Sequence, residues 1–287
     1  MKKAIDDIST SRLPDGGFAL RPGGQYRPDA TAWAIMSLRL CGFSADPLYP
    51  ARARLAIGQD EDGRIAVAKD QPQAFWPTPL AILAWHGQAE FDEPRERAVR
   101  FLLNTTGRHF KRDKDSPIGH DPSIVGWPWT EATHSWVEPT SLSIAALSVT
   151  GHRAHERVGE GVRLLMDRQL SSGGWNCGNT TVFGTELAPT PESTGLALAA
   201  VSEAVNRQEV THSIDYLMGR IKTLTTPLSL GWSVLGLAAW GERPRNANAL
   251  IDRCLTMQDR YGSYDTSLIS LMIFARKAEG GFIHAFS

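Results

Sequence analysis

Four carboxylates in this sequence share a local pattern that suits proton-transfer chemistry. Each is followed two positions later by a hydroxyl side chain, and the pairs are Asp29 and Thr31, Glu138 and Thr140, Glu192 and Thr194, and Asp265 and Ser267. A carboxyl group holds a proton at neutral pH only when burial or a nearby negative charge raises its pKa. Carboxylates that converge on one pocket would meet that condition. Alternatively, each carboxylate caps a helix and each hydroxyl bonds to its own helix.

Aromatic side chains are concentrated near the same positions. The densest run, GWPWTEATHSWVEPTS, contains Glu138. Aromatic faces bury apolar ligands and stabilise cations, although most tryptophans pack in a protein core. We therefore predict Asp29 and Glu138 as catalytic groups. The predicted ligand-binding residues are Trp33, Trp76, Trp127, Trp129, His134, Trp136, Glu192, Trp232 and Asp265.

Six segments that begin near these residues are small or apolar nearly all round, which is typical of helices buried on most sides. They are DATAWAIMSLRLCG, WPTPLAILAWHG, EPTSLSIAALSVTG, ESTGLALAAVSEAV, LSLGWSVLGLAAWG and DTSLISLMIFARKA. Amphipathic segments such as PRERAVRFLLN alternate with them and predict half-buried helices.

A short glycine motif recurs between the two kinds of segment. It reads QDEDGRI, QLSSGGW and QDRYGSY, and RLPDGGF is a fourth copy with arginine in the glutamine position. The second and third intervals between the glycines are each about twice the first, so two degraded copies are expected within them. We predict a tight turn at each glycine, between an outer and an inner helix.

This alternation predicts an all-α fold, an (α/α)6 toroid of six inner and six outer helices that forms a single domain over residues 1–287. The inner helices would point their first turns into a common mouth. The predicted catalytic and binding residues would surround that mouth.

The Gln-x-x-x-Gly-x-Trp element resembles the repeat of the squalene–hopene and oxidosqualene cyclases, and the protein prenyltransferase β-subunits share the same toroid. The resemblance implies an isoprenoid or other apolar small-molecule ligand. It also implies an acid at the third position of an Asp-x-Asp-Asp-Thr-Ala motif. The matching run is Arg27-Pro28-Asp29-Ala30-Thr31-Ala32, in which Asp29 takes that position and Arg27 and Ala30 replace the other two carboxylates. The competing interpretation of Asp29 is a helix N-cap.

Composition excludes several other classes of protein. The net charge of −1 gives no basis for nucleic-acid binding. The three cysteines form no Cys-x-x-Cys pair, which favours a reducing compartment. No apolar run is long enough to span a membrane, so we predict a cytoplasmic protein and leave a peripheral membrane contact open. No metal or cofactor is predicted.

Two long irregular segments separate the predicted helices. The polar segment 104–126 is predicted to be a mobile lid over the mouth, and the segment 177–191 is predicted to cover the opposite rim. Three functions remain open from the sequence: an isoprenoid enzyme or binder, a carbohydrate-active enzyme that uses mouth carboxylates and tryptophan platforms, and a non-catalytic scaffold.

Overall fold

Thirteen α-helices dominate the computed structural model, which describes residues 1–113 and 115–287. The inner ring consists of α2 (Pro28–Leu40), α4 (Thr78–Trp85), α6 (Val137–Val149), α8 (Pro191–Val201), α10 (Pro227–Ala238) and α13 (Thr266–Lys277). The outer ring consists of α1 (Lys2–Thr10), α3 (Ala45–Ile57), α5 (Asp92–Asn104), α7 (Glu156–Asp167), α9 (Arg207–Arg220) and α11 (Ala247–Thr256), and α12 (Gln258–Tyr261) is a single turn. Short 3-10 helices cover Ala89–Phe91, Ile221–Thr223 and Ile283–Phe286, and none of the described helices is long and apolar enough to cross a bilayer.

The inner ring is closed. Each inner helix contacts the next one along the chain, and α13 contacts α2. The closure includes a hydrogen bond from the Thr266 hydroxyl to the carbonyl of Ala19, at 2.7 Å. The outer helix α1 packs on α13 and completes the sixth pair. The predicted all-α (α/α)6 toroid is therefore confirmed.

The inner helices α8 and α10 pack very closely, and each contributes one glycine to the contact. A Cβ atom on Gly195 would lie 2.2 Å from the carbonyl oxygen of Trp232. A Cβ atom on Gly236 would lie 2.4 Å from the carbonyl oxygen of Gly195. Neither distance is compatible with a side chain, so these two positions set how tightly the ring closes.

The four motif glycines share one backbone conformation. Their φ angles are +90° at Gly16, +97° at Gly63, +92° at Gly173 and +94° at Gly262. This region of φ is accessible mainly to glycine. At Gly63 a Cβ atom would also lie 2.3 Å from the carbonyl oxygen of Arg97 on the next outer helix. Gly16 and Gly173 approach Pro50 and His212 of the neighbouring outer helices in the same way, whereas a Cβ atom on Gly262 would have no atom of the described residues within 4 Å.

Four inner helices each carry a threonine whose side chain hydrogen-bonds to the backbone of the preceding turn. The hydroxyl oxygens of Thr31, Thr78, Thr140 and Thr194 accept hydrogen bonds of 2.9 to 3.1 Å from the backbone N–H groups of Phe18, Ile65, Trp127 and Trp175 respectively. These hydroxyls therefore bind backbone and do not face a ligand. Trp127 occupies the same place as Phe18, Ile65 and Trp175, which identifies a degraded copy of the repeat.

The C-terminal segment closes one end of the inner ring. Phe282 packs against Trp33, Trp232 and Phe274, with ring centroids 5.9, 5.1 and 5.2 Å away. Phe286, in the last 3-10 helix, extends this cluster. Trp33 and Trp232 of this cluster also line a cavity on the axis of the ring.

The two irregular segments pair with each other. The strands β1 (Thr181–Val182) and β2 (Thr185–Glu186) form a small antiparallel hairpin, and Ile118 bridges Val182. The N–H of Gly119 donates to the carbonyl of Thr181 at 2.8 Å. The prediction that 104–126 and 177–191 cover opposite rims was therefore wrong: backbone pairing holds them together on one side. Residue 114, within the predicted lid, lies outside the described residues.

Candidate functional site

A cavity of about 130 Å³ lies on the axis of the inner ring. Its lining residues come from α2, α6, α10 and α13 and from the start of α4: Asp29, Trp33, Trp76, Leu80, Glu138, Leu142, Leu228, Trp232, Ser267, Leu268 and Leu271. Leu228 is 41% exposed, so the cavity reaches solvent at the first turn of α10. Both predicted catalytic residues and three of the predicted tryptophans thus meet in one place.

Asp29 is held by a guanidinium group. The Arg27 Nε and Nη2 atoms donate to the two carboxylate oxygens of Asp29 at 2.8 and 3.1 Å. Burial raises the pKa of Asp29 above its ordinary value, and the charge and hydrogen bonds of Arg27 offset only part of that effect. A bidentate pair of this kind favours the ionised carboxylate.

The N-cap interpretation of Asp29 does not fit this geometry. Arg27 occupies the N-cap position of α2, and Asp29 is the second residue of the helix. Its side chain therefore turns toward the cavity and its arginine partner. The arginine that replaces a carboxylate of the cyclase motif is the residue that fixes Asp29.

Glu138 is also buried but has no arginine partner in the part of the chain that the structure describes. Burial, reinforced by the negative charge of Glu192, raises the pKa of Glu138 to about 7. No basic side chain among the described residues opposes this shift. At neutral pH a large fraction of Glu138 therefore carries its proton, although its side chain borders the cavity.

Glu192 stands beside the cavity and is not part of its lining. It is the second residue of α8, and its Oε2 atom accepts a 2.7 Å hydrogen bond from the Ser229 hydroxyl. It acts on the site through its charge, because that charge contributes to the raised pKa of Glu138.

Asp265 caps a helix. Its Oδ1 atom accepts a 2.9 Å hydrogen bond from the N–H of Leu268, at the N-terminus of α13. It does not line the cavity, and Ser267 takes its place there. The predicted ring of four converging carboxylates thus consists of two at the cavity, one beside it and one cap.

The predicted aromatic residues divide into two groups. Trp33 and Trp232 meet edge to face at 5.8 Å on the cavity wall. Trp76 lines the same cavity, and Trp129 packs edge to face on it at 5.6 Å from outside. Two edge-to-face pairs of tryptophan rings thus lie at the cavity that holds the carboxyl groups.

The remaining predicted residues lie elsewhere. Trp127 is 1% exposed, and its indole N–H donates to the carbonyl of Leu102 at 2.8 Å, so the ring packs between α5 and α7. His134 and Trp136 line a separate pocket under the paired loops. Their nearness to Glu138 in sequence did not bring them to the cavity.

The sequence prediction missed the aliphatic lining. Leu80, Leu142 and Leu271 each lie four residues after another lining residue, namely Trp76, Glu138 and Ser267. The same spacing joins Asp29 to Trp33 and Leu228 to Trp232. Residues four apart share one face of a helix. This spacing, applied to each inner helix, is the signal that would have identified the lining.

No family model matches the chain, and no curated protein matches it. Solved structures do. The type II terpene cyclase MstE from Scytonema superposes with a TM-score of 0.63 at 14% identity, over 97% of each chain. The chain therefore shares its toroid fold with that enzyme. The ent-copalyl diphosphate synthase from Streptomyces platensis gives 0.54 at 17% identity over 90% of this chain, which spans about half (50%) of that enzyme.

The same fold also occurs outside the terpene cyclases. A protein described as a novel alpha-amylase from Clostridium perfringens superposes with a TM-score of 0.60 at 10% identity, over 95% of this chain and 96% of that one. A single-residue variant of MstE has been solved in complex with its substrate, geranylgeranyl dihydroxybenzoate. The likeness establishes the fold of this chain, and the chemistry must be argued from its own cavity.

Proposed function

We propose that this protein transfers a proton from Glu138 to the terminus of an apolar, isoprenoid-type ligand in the central cavity. One observation carries the proposal: two carboxyl groups line a single cavity, and only Asp29 has a basic partner among the described residues. Glu138 has a pKa raised to about 7, whereas Asp29 is paired with Arg27. Environments that separate two carboxyl groups in this way assign one as the acid and the other as the fixed negative charge.

The lining favours an apolar ligand. Eight of the eleven lining residues are leucine or tryptophan, and the polar ones are Asp29, Glu138 and Ser267. An engineered cavity of roughly 150 Å³ holds one benzene molecule, so about 130 Å³ accommodates one five-carbon isoprene unit. The rest of a longer chain would extend past Leu228 into solvent.

The acidity of Glu138 favours one class of terminus. A carboxylic acid with a pKa of about 7 is a weak acid, poorly matched to protonation of an unactivated alkene. An epoxide oxygen is far more basic, and its C–O bond is already strained. We therefore assign a terminal epoxide as the group that Glu138 protonates.

The step balances within the cavity. The Glu138 proton moves to the epoxide oxygen, the C–O bond breaks, and an alcohol and a tertiary carbocation form. The aromatic rings of Trp33 and Trp232 and the carboxylate of Asp29 stabilise the cation. A methyl group next to the cationic carbon then loses a proton to the Glu138 carboxylate, which gives an allylic alcohol and restores the acid.

A carbohydrate-active role is the second candidate. A protonated carboxyl group beside an ionised one, with tryptophan nearby, is also the arrangement that glycosidases use. The shortage of polar lining residues argues against it, because a sugar ring carries hydroxyl groups that need partners. A non-catalytic scaffold is the third candidate.

Turnover assays separate the three candidates. The substrates are a polyprenyl chain with a terminal epoxide, its parent alkene, and a maltooligosaccharide. We expect conversion of the epoxide, with a loss of about 100-fold or more in Glu138→Gln. The matched control is Glu61→Gln, an exposed glutamate, which should leave turnover unchanged.

Each other outcome overturns the proposal. Undiminished epoxide conversion in Glu138→Gln would remove the acid assignment. Hydrolysis of the oligosaccharide that depends on Glu138 would establish the second candidate. Absence of turnover with all three substrates would leave the scaffold.

A further inference from the structure

A second pocket, of about 450 Å³, lies under the paired loops and is separate from the central cavity. Its walls come from the segment between α5 and α6, from Arg168 after α7, and from Gly178 and Asn179. Pockets for small molecules commonly enclose roughly 300–1,000 Å³, so this one is large enough for a ligand of its own.

The pocket is positively charged. Its described lining includes Arg108, Lys111 and Arg168, against the single carboxylate of Asp113. The Asp113 carboxylate accepts a hydrogen bond from the N–H of Asp115 at 3.1 Å, so it is engaged in its own turn. Arg168 is paired with Asp167, which leaves Arg108 and Lys111 against Asp113, and this excess of positive charge favours an anionic occupant.

Two buried polar groups in the pocket lack partners. His120 is 8% exposed and Arg168 is 5% exposed, yet the His120 Nδ1 atom and the Arg168 Nε atom have no hydrogen-bond partner among the described residues. The other nitrogens of Arg168 donate to Asp167 at 2.9 Å and to the carbonyl of Asp121 at 3.2 Å. Unpaired buried polar groups are costly, which is consistent with a site built for a bound polar group.

The electrostatic environment of His120 also favours an anionic ligand. Burial, followed by the positive charges of Arg168 and His134, lowers the pKa of His120 to about 4. The imidazole is therefore neutral in a positive field at physiological pH. An anion in the pocket would offset that field.

One wall of the pocket is aromatic. The rings of Phe110 and His134 lie 5.4 Å apart, and those of His134 and Trp136 lie 6.5 Å apart. Ile118 and Ile124 extend the apolar surface. A ligand that fills this pocket needs a flat apolar body as well as a charge.

We propose that this pocket binds an organic anion with a flat, apolar body, oriented with its charge toward Arg108, Lys111 and Arg168 and its body against Phe110, His134 and Trp136. The site is independent of the chemistry proposed for the central cavity. None of its lining residues belongs to that cavity.

Calorimetric titration with 1-naphthyl phosphate tests the proposal, with 1-naphthol and inorganic phosphate as partial ligands. We expect 1-naphthyl phosphate to bind with a Kd below about 1 mM and at least about tenfold more tightly than either partial ligand. Binding should weaken as salt is added, since the charges are partly exposed.

Two matched variants assign the charge contact. Lys111→Gln removes a lining cation and should weaken binding by about tenfold. Arg112→Gln removes the neighbouring exposed cation, which is not part of the lining, and should change Kd by less than about twofold. Thermal melts establish that both variants are folded.

Three results would overturn the proposal. They are the absence of 1-naphthyl phosphate binding at about 1 mM, equal affinity for 1-naphthol, and equal losses in Lys111→Gln and Arg112→Gln. Equal affinity for 1-naphthol would mean that the pocket recognises only the apolar body of the ligand. The third would leave a diffuse effect of net charge.

Discussion

Replacing Glu138 by glutamine should change how the stability of the protein depends on pH. In the folded protein the pKa of Glu138 is about 7, raised by burial and by Glu192 from its ordinary value of 4.5. Below the ordinary value, Glu138 is protonated in both the folded and unfolded states and contributes no pH dependence. Between the two values the unfolded chain loses the proton and the folded chain keeps it, so the free energy of unfolding falls as pH rises.

The size of the effect follows from the shift. Each pH unit in this window lowers the stability of the native protein by up to about 1.4 kcal/mol, and about 2 to 3 kcal/mol accumulates between about pH 5 and pH 8. Glutamine does not titrate. Glu138→Gln should therefore gain about 2 to 3 kcal/mol relative to the native protein over that interval.

Urea denaturation at the two pH values measures this difference, and Glu61→Gln is the control. All other titrating groups are common to the proteins compared, so their contributions cancel. A stability difference between Glu138→Gln and the native protein that is the same at both pH values would refute a raised pKa at Glu138.

Three further changes test other parts of the structure. Arg27→Gln leaves the buried Asp29 carboxylate without its partner, so the free energy of unfolding in urea denaturation should fall by about 2 kcal/mol or more. The loss should be smaller at low pH, where Asp29 is protonated. Gly63→Ala should lower the free energy of unfolding by more than about 2 kcal/mol, because the new Cβ atom would meet the Arg97 carbonyl. Gly262→Ala is the matched control: its φ is similar but no atom of the described chain lies within 4 Å, so it should cost only about 1 kcal/mol. Equal losses of stability in the two variants would contradict the packing role of Gly63. Trp127→Phe removes the bond to Leu102 and should lower the melting temperature without changing epoxide turnover, and a large loss of turnover in a folded protein would place Trp127 at the site after all.

The sequence predicted the toroid because its two kinds of helix differ in composition. Inner segments such as α4 are apolar on every side, and the structure buries all of α4. Asp29 and Glu138 were predicted to share a cavity because they begin two inner helices, and they do line one cavity. Their roles stay predictions.

The prediction for Asp265 was wrong because a difference of one residue in where a helix begins decides whether a carboxylate faces the cavity or caps the helix. Asp29, Glu138 and Glu192 are each the second residue of a helix, whereas Asp265 immediately precedes α13. A step of one residue turns a side chain by about 100°, so the same local pattern gives a cavity residue in one helix and a cap in another. Helix starts cannot be placed that accurately from sequence.

Trp127 illustrates a second limit. Asp121 and Val125 stand where the motif would have glutamine and glycine, so the repeat is hidden. The remaining signal is the separation of 13 residues along the sequence between Trp127 and Thr140, which is the same as that between Phe18 and Thr31. Pairing of the two long loops left no comparable signal, because it depends on backbone hydrogen bonds between distant segments.

The protonation of Glu138 is the central claim, and a carbon-13 NMR titration of glutamate-carboxyl-labelled protein tests it most directly. The Glu138 resonance is assigned as the one that is missing in Glu138→Gln. We predict a titration midpoint at about pH 7, shifted when an epoxide-terminated isoprenoid is added. A midpoint near the ordinary value of 4.5 would contradict the account, because Glu138 would then be ionised and unable to donate a proton.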